Sequence, residues 1–246
     1  MSTITKRTIL VTGSNSGIGL DLVKNLASKG HLVYLASRNA ASGKEAQAKL
    51  KQEHGLDVKF VQFDVTDIQS VQAARDIIEK AEGKLDVLVN NAGMSYMDKP
   101  QNASTIDISV IRATFEPNFF GMIQTTQTFL PLLRKGSDPV ILLNSTSMAS
   151  NSYQARPDSS LHVVAYNTSK AAANSYVIAL AHELKPEGFK VNAVTPGFTT
   201  TKLNGYAPGG KTTEQAAELL AEWALLGPED KNKTGLFWSD NGEFPW

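Results

Sequence analysis

The 246-residue chain contains no cysteine, and its 24 lysines and arginines are matched by 24 aspartates and glutamates. The first absence removes thiol nucleophiles, Cys-ligated zinc, iron–sulfur clusters and disulfides, and it fits a reducing, cytoplasmic setting. The second argues against nucleic acid or an anionic membrane as partner, because both call for a basic surface. Long apolar runs are missing too. The charge-free stretch 117–133 is interrupted by Asn118, Gln124, Gln127 and threonines, so a buried helix is expected there and not a membrane span. Residues 1–7 set no apolar segment behind their charges, and no signal peptide is expected. The four histidines, His31, His54, His162 and His182, are scattered, which offers no metal site.

What the chain does have is alternation. Short aliphatic runs at 8–12, 31–36, 58–63, 85–89, 140–144, 189–194 and 235–238 read as strands. Between them, helical spacing covers 18–28, 43–53, 68–81, 110–133, 166–184 and 213–224. Strict βαβα order predicts a Rossmann-type, doubly wound α/β fold. Its sheet would be mostly parallel and seven-stranded, with helices on both faces. No linker or repeat interrupts the pattern, so a single domain over 1–246 is expected. Three less regular stretches, 94–105, 148–162 and 198–212, follow strand C-terminal ends, where open α/β sheets bind ligands. The aromatic Trp223, Trp238 and Trp246 read as core, with a lid as the alternative.

The first strand runs into Thr12-Gly13-Ser14-Asn15-Ser16-Gly17-Ile18-Gly19. Glycines at a strand-to-helix turn allow a tight bend and close backbone approach to a diphosphate. The helix N-terminus then offers free N–H groups to that anion. Further on stand Asp64-Val65 after the third strand, Asn90-Asn91-Ala92-Gly93 after the fourth, and Asn118 in the long helix. Ser147 follows the fifth strand, Tyr166-x-x-x-Lys170 opens the next helix, and Pro196-Gly197 follows the sixth strand. In this order the motifs resemble the short-chain dehydrogenase/reductase family over essentially the whole chain. Within it the stretches 33–38, 85–93 and 235–246 look most like carbonyl reductases.

The resemblance implies a nicotinamide cofactor held by Gly13, Ser14, Ser16, Gly17, Ile18 and Gly19. Asp64 and Val65 would meet the adenine. Asn91, Ala92 and Gly93 would line the ribose, and Asn90 would tie neighbouring strands. Pro196, Gly197, Thr199 and Thr201 would hold the nicotinamide end. At the end of the second strand, Ser37-Arg38-Asn39 stands where a carboxylate would select NAD. A guanidinium can pair with a 2′-phosphate, which favours NADPH/NADP+; the alternative is an arginine capping the next helix.

Tyr166 and Lys170 are four apart on a helix and share a face. By resemblance Tyr166 protonates a carbonyl oxygen as hydride arrives, and Lys170 supports it and binds the ribose. A nearby ammonium is expected to lower the phenol's pKa from its usual ~10. Ser147 would hydrogen-bond the substrate oxygen, with Ser145 the alternative if the register shifts by two. Asn118 would position a relay water; the alternative is a structural Asn at a Pro117 kink. The gap between Ser147 and Tyr166 exceeds the family's usual one.

The pocket set Ser95, Tyr96, Met97, Met148, Ala149, Tyr153, Phe198 and Leu203 is largely apolar. It fits a medium-sized, uncharged ketone or aldehyde, whose product is an alcohol. The expectation is therefore an NADPH-dependent carbonyl reductase, present as a homodimer or monomer. An alcohol dehydrogenase or dedicated ketoreductase, and a non-catalytic NADP(H)-binding sensor, are the alternatives.

Overall fold

Aliphatic residues with alternate sides facing two different cores make the central strands of this protein. In β1 (Thr8–Val11), Leu10 belongs to one apolar cluster while Ile9 and Val11 belong to the other. The same split separates Leu88 from Val87 and Val89 in β4 (Val87–Asn90). Both strands are buried throughout, as a parallel sheet covered on both faces requires. The computed structural model describes residues 5–159 and 161–246.

The other strands are β2 (Leu32–Ser37), β3 (Lys59–Gln62), β5 (Val140–Asn144), β6 (Lys190–Val194), β7 (Phe237–Ser239) and β8 (Gly242–Glu243). Their order is β3-β2-β1-β4-β5-β6-β7-β8, parallel everywhere except between β7 and β8. The sheet is a Rossmann-type doubly wound α/β fold. Its order reverses between β1 and β4, which opens the ligand crevice at their C-terminal ends. Helices α1 (Gly17–Ser28), α2 (Ala40–His54), α3 (Ile68–Glu82), α4 (Ile108–Phe115), α5 (Gly121–Leu133), α6 (Asn151–Gln154), α7 (Val164–Leu184) and α8 (Thr213–Ala224) complete the chain. Leu22, Val23 and Leu26 of α1 and Leu220, Trp223 and Ala224 of α8 fill one core. Phe129 of α5 and Val177, Leu180 and Leu184 of α7 fill the other.

Three elements differ from the sequence expectation. The sheet has eight strands, because the chain turns back after β7 and pairs Glu243 with Trp238. The helix expected over 110–133 is split by a π-helical turn, Glu116–Phe120. Pro117 supplies a cause, since it lacks an N–H and its ring crowds the preceding turn. The long stretch before Tyr166 holds the short α6, whose start is capped by the Ser150 hydroxyl accepting from Tyr153 N–H.

Of the tryptophans, Trp223 is core, while Trp238 and Trp246 are half-buried and pack against the two cores. Trp223 is fully buried, with Trp238 at 4.9 Å, and Trp246 stacks on Phe237 at 5.4 Å. Among the described residues no helix is long and apolar enough to cross a membrane.

Candidate active site

The site grows from three turns at the crevice. At the first, Gly13 and Gly17 have φ of +60° and +58°, a region that costs other residues strain. A Cβ on Gly13 would sit 2.8 Å from Ala92 Cα, so this turn lies directly against the turn after β4. Thr12 joins the two: its Oγ1 accepts from the N–H groups of Asn91 and Ala92, both at 3.0 Å. Gly19 packs just as tightly, with Asn91 Nδ2 2.5 Å from where its Cβ would stand.

Ser16 begins α1 as an exposed residue with no side-chain cap bond, and α1 has no acidic residue in its first turn. Its leading N–H groups are thus without a side-chain acceptor, and Ile18 lies among them. This cradle fits the diphosphate of a dinucleotide. Ser14 is different. It is fully buried, its hydroxyl donates to Val11 O at 2.7 Å, and it accepts from Ala36 N–H at 3.0 Å. Its side chain binds β1 to β2 and is spent inside the fold.

The second turn also departs from expectation. Asn90 does not tie strands together; its Nδ2 donates to Thr126 Oγ1 on α5 at 3.0 Å. The strand tie belongs to Asn91. Its Nδ2 donates to the carbonyls of Thr12 and Gly13, and its Oδ1 accepts from Asn144 Nδ2 at 2.8 Å.

After β3, Asp64 accepts from Thr66 N–H and hydroxyl, and the cap of α3 is Asp67. Val65 is buried, with its carbonyl accepting from Gln124 Nε2. Arg38 is exposed at the end of β2 beside Ser37, whose hydroxyl donates to Asn39 O. Asn39 caps α2 by accepting from Ser42 N–H at 3.0 Å, so the arginine is not the cap.

Tyr166 and Lys170 stand one turn apart near the start of α7, 7% and 3% exposed. Lys170 Nζ donates to Asn144 O at 2.8 Å. Burial pushes the Tyr166 phenol up to about 12 and the Lys170 ammonium down to about 8. The expected lowering of the phenol is not found; burial alone acts on it and raises it, so the tyrosine carries its proton across the physiological range. Asn118 Oδ1 and Lys170 Nζ converge on Gly93, 3.0 and 3.6 Å from where its Cβ would stand.

The Asn118 amide is heavily used. Its Oδ1 accepts from Met94 N–H, and its Nδ2 donates to Met94 O and Ser169 Oγ. It locks the π turn to the loop after β4 and to α7, which is the structural one of the two alternatives for this residue. Ser145 is buried and donates to Asn174 Oδ1 at 2.7 Å, while Ser147 opens a 3₁₀ turn, Ser147–Ala149, half-buried at the crevice.

Around these groups lie the three loops. Phe198 and Leu203 are exposed, Tyr96 and Met148 half-buried, and Tyr96 has φ +48°. Ser95 is not a free pocket wall, because its hydroxyl donates to Leu203 O at 2.6 Å. Ala149 is buried at 2% exposure, and Tyr153 packs on Phe244 at 5.3 Å. Pro196 O accepts from Lys211 Nζ at 3.2 Å, and Lys211 pairs with Asp240. Gly197 turns with φ +79°; Thr199 donates to its carbonyl, and Thr201 N–H donates to Asn204 Oδ1. A separate cavity of about 370 Å³ lies between α1, the end of α2 and α8, lined by Asp21, Lys24, His54 and Glu214. It holds none of these groups, and its mixed charges suggest no chemistry.

The sequence gives no sign of Gln101, a buried residue in the loop after β4 whose amide oxygen accepts from the first N–H groups of α7. Nothing in a lone glutamine within a loop marks it.

A Rossmann-type sheet with a glycine cradle at its switch point, and a buried Tyr–Lys pair beside it, defines a nucleotide-dependent oxidoreductase scaffold. The family model for short chain dehydrogenases matches residues 7–210. The chain belongs to the short-chain dehydrogenase/reductase family. It is an oxidoreductase, and its family supports a nicotinamide cofactor.

Among its relatives, salutaridine reductase from Papaver somniferum is 30% identical, covering 96% of each chain. Carbonyl reductase (NADPH) 1 from Mus musculus is 30% identical, covering 96% of this chain and 97% of that one. The solved structure of the Papaver somniferum enzyme superposes with a TM-score of 0.80 at 29% identity, over 96% of this chain and 100% of that one.

Proposed function

We propose that the chain is a single catalytic domain that reduces a medium-sized, uncharged ketone or aldehyde with NADPH. The observation that carries the reading is the buried Tyr166–Lys170 pair, joined by Asn118 at Gly93, beside the glycine cradle. The names of the two relatives, both reductases, support it.

A dihydronicotinamide, when bound, would supply the hydride. The protein's own groups do the rest. The α1 N-terminus, with Gly13, Ser16, Gly17, Ile18 and Gly19, would hold the diphosphate. Arg38, assisted by the Asn39 amide, would take the 2′-phosphate, while the buried Ser37 hydroxyl is already spent on Asn39 O. Asp64 and Val65 would bound the adenine, Asn91, Ala92 and Gly93 the ribose, and Pro196, Gly197, Thr199 and Thr201 the nicotinamide end.

Tyr166 donates its proton to the carbonyl oxygen as charge builds there. The burial that raises its pKa keeps that proton in place until the acceptor becomes strongly basic. Ser147 donates a hydrogen bond to the same oxygen. Ser145, already spent on Asn174, is the less suited serine. Lys170 returns a proton towards Tyr166, with the remaining acceptor capacity of Asn118 beside it. Tyr96, Met148, Phe198 and Leu203 give the mouth an apolar lining that favours a neutral substrate.

The test is NADPH against NADH oxidation over quinones, ketones, aldehydes and keto-esters. NADPH-linked turnover of at least one neutral class is expected. Tight NADPH binding with no turnover on any of them would replace this reading with that of a sensor.

A further inference from the structure

Helix α7 begins without a side-chain cap of its own. Its N-cap is Val163, whose side chain has no polar atom to offer, yet the first N–H groups of any helix need acceptors from outside. Gln101, 63 or more positions earlier in sequence and only 7% exposed, supplies them. Its Oε1 accepts from Ala165 N–H at 3.0 Å and from Tyr166 N–H at 3.4 Å. Its backbone carbonyl accepts from Val164 N–H at 3.4 Å.

The other end of the same amide is equally committed. Gln101 Nε2 donates to Ser95 O and Tyr96 O, both at 2.8 Å. Ser95 in turn donates from its hydroxyl to Leu203 O, in the loop after β6. Tyr96, one of the two acceptors, sits at φ +48°, a conformation that needs local support in a non-glycine residue. One buried side chain thus joins the loop over the pocket to the backbone of Tyr166 itself.

We propose that Gln101 is a positioning residue: it caps α7 in trans and fixes the Tyr166 hydroxyl against the loop that holds the substrate. This rests on the reading of Tyr166 as proton donor. The side chain touches no reacting atom, so its effect runs through geometry. A displacement of the order of 1 Å in such a donor can cost about 10²-fold in rate.

Two variants separate the two ends of the amide. Gln101→Leu removes both. Gln101→Glu keeps an acceptor for Ala165 and Tyr166 but loses the donors to Ser95 and Tyr96. Each is measured for NADPH-linked kcat, KM for the carbonyl, Kd for NADPH, and hydrogen exchange of the peptides covering 94–104 and 161–170. Gln101→Leu is expected to lower kcat at least tenfold with Kd for NADPH within twofold of the parent, and to raise exchange in both peptides. Gln101→Glu is expected to raise KM and loosen 94–104 while 161–170 stays protected and kcat falls less.

A Gln101→Leu protein with kcat within twofold of the parent, or with unchanged exchange in 161–170, overturns the proposal. So does an equal loss of kcat in both variants. If Gln101→Leu does not fold, Gln101→Met, of similar volume, takes its place. If the parent itself turns over no carbonyl, the functional reading fails, and exchange in 161–170 alone decides whether Gln101 caps the helix.

Discussion

Gly13 and Gly17 share a positive φ but not a neighbourhood, and the difference can be measured. Alanine at either position accepts the left-handed conformation at a cost of about 1–2 kcal/mol. At Gly17 the new Cβ meets nothing within 4 Å, so that is the whole cost. At Gly13 it would stand 2.8 Å from Ala92 Cα and 3.0 Å from Ala92 Cβ. Backbone cannot swing aside as a side-chain tip can, and overpacking of this kind adds about 1–3 kcal/mol. Gly13→Ala should therefore lose about 2–5 kcal/mol, a large share of the ~5–15 kcal/mol typical of a folded domain. Urea unfolding of the cofactor-free protein gives the answer, provided the slope m is unchanged. The expected midpoints run parent, Gly17→Ala, Gly13→Ala in falling order. Equal midpoints for the two variants would refute the claim that the β1 turn rests on the β4 turn.

The other predictions concern the chemistry. Arg38→Ala should raise Kd for NADPH about 10- to 100-fold, the loss of one or two charge-assisted hydrogen bonds, and leave NADH binding unchanged in a fluorescence titration. Ser147→Ala should lower kcat about 10²–10³-fold at near-parental stability. Ser145→Ala should do the reverse, costing about 1–3 kcal/mol in thermal or urea unfolding because it leaves buried Asn174 with a lost partner. For pH, burial lowers the pKa of Lys170 to about 8, so its ammonium is lost as pH rises through that value. Carbonyl reduction should fall along an alkaline limb centred near 8, and Lys170→Arg, which stays charged, should lack that limb whatever its absolute rate.

The central sheet was legible because its strands are aliphatic runs, and because glycine is the only residue that suits the turn after β1. The Tyr-x-x-x-Lys pair was legible as a helical face. What stayed hidden depends on partners distant in sequence. β8 is two residues long and has no pattern of its own; it forms because the chain can turn back at β7. Ser14 and Ser95 looked free in the sequence, yet the Ser14 hydroxyl accepts from Ala36 N–H on β2 and the Ser95 hydroxyl donates to Leu203 O, partners that only the tertiary fold brings near. Asn90 and Asn91 are adjacent and chemically identical. Opposite strand faces send one to Thr126 and the other to Thr12 and Gly13. Pro117 did signal a disturbed helix, but not that the disturbance is a π turn fastened by Asn118 to Met94.

The account stands on Tyr166 as the proton donor. The direct test is the NADPH-linked turnover of Tyr166→Phe on a carbonyl that the parent reduces, with Kd for NADPH measured on the same preparation. Turnover should fall about 10²–10⁴-fold while NADPH binds within twofold of the parent. A phenylalanine variant that kept full turnover would contradict it.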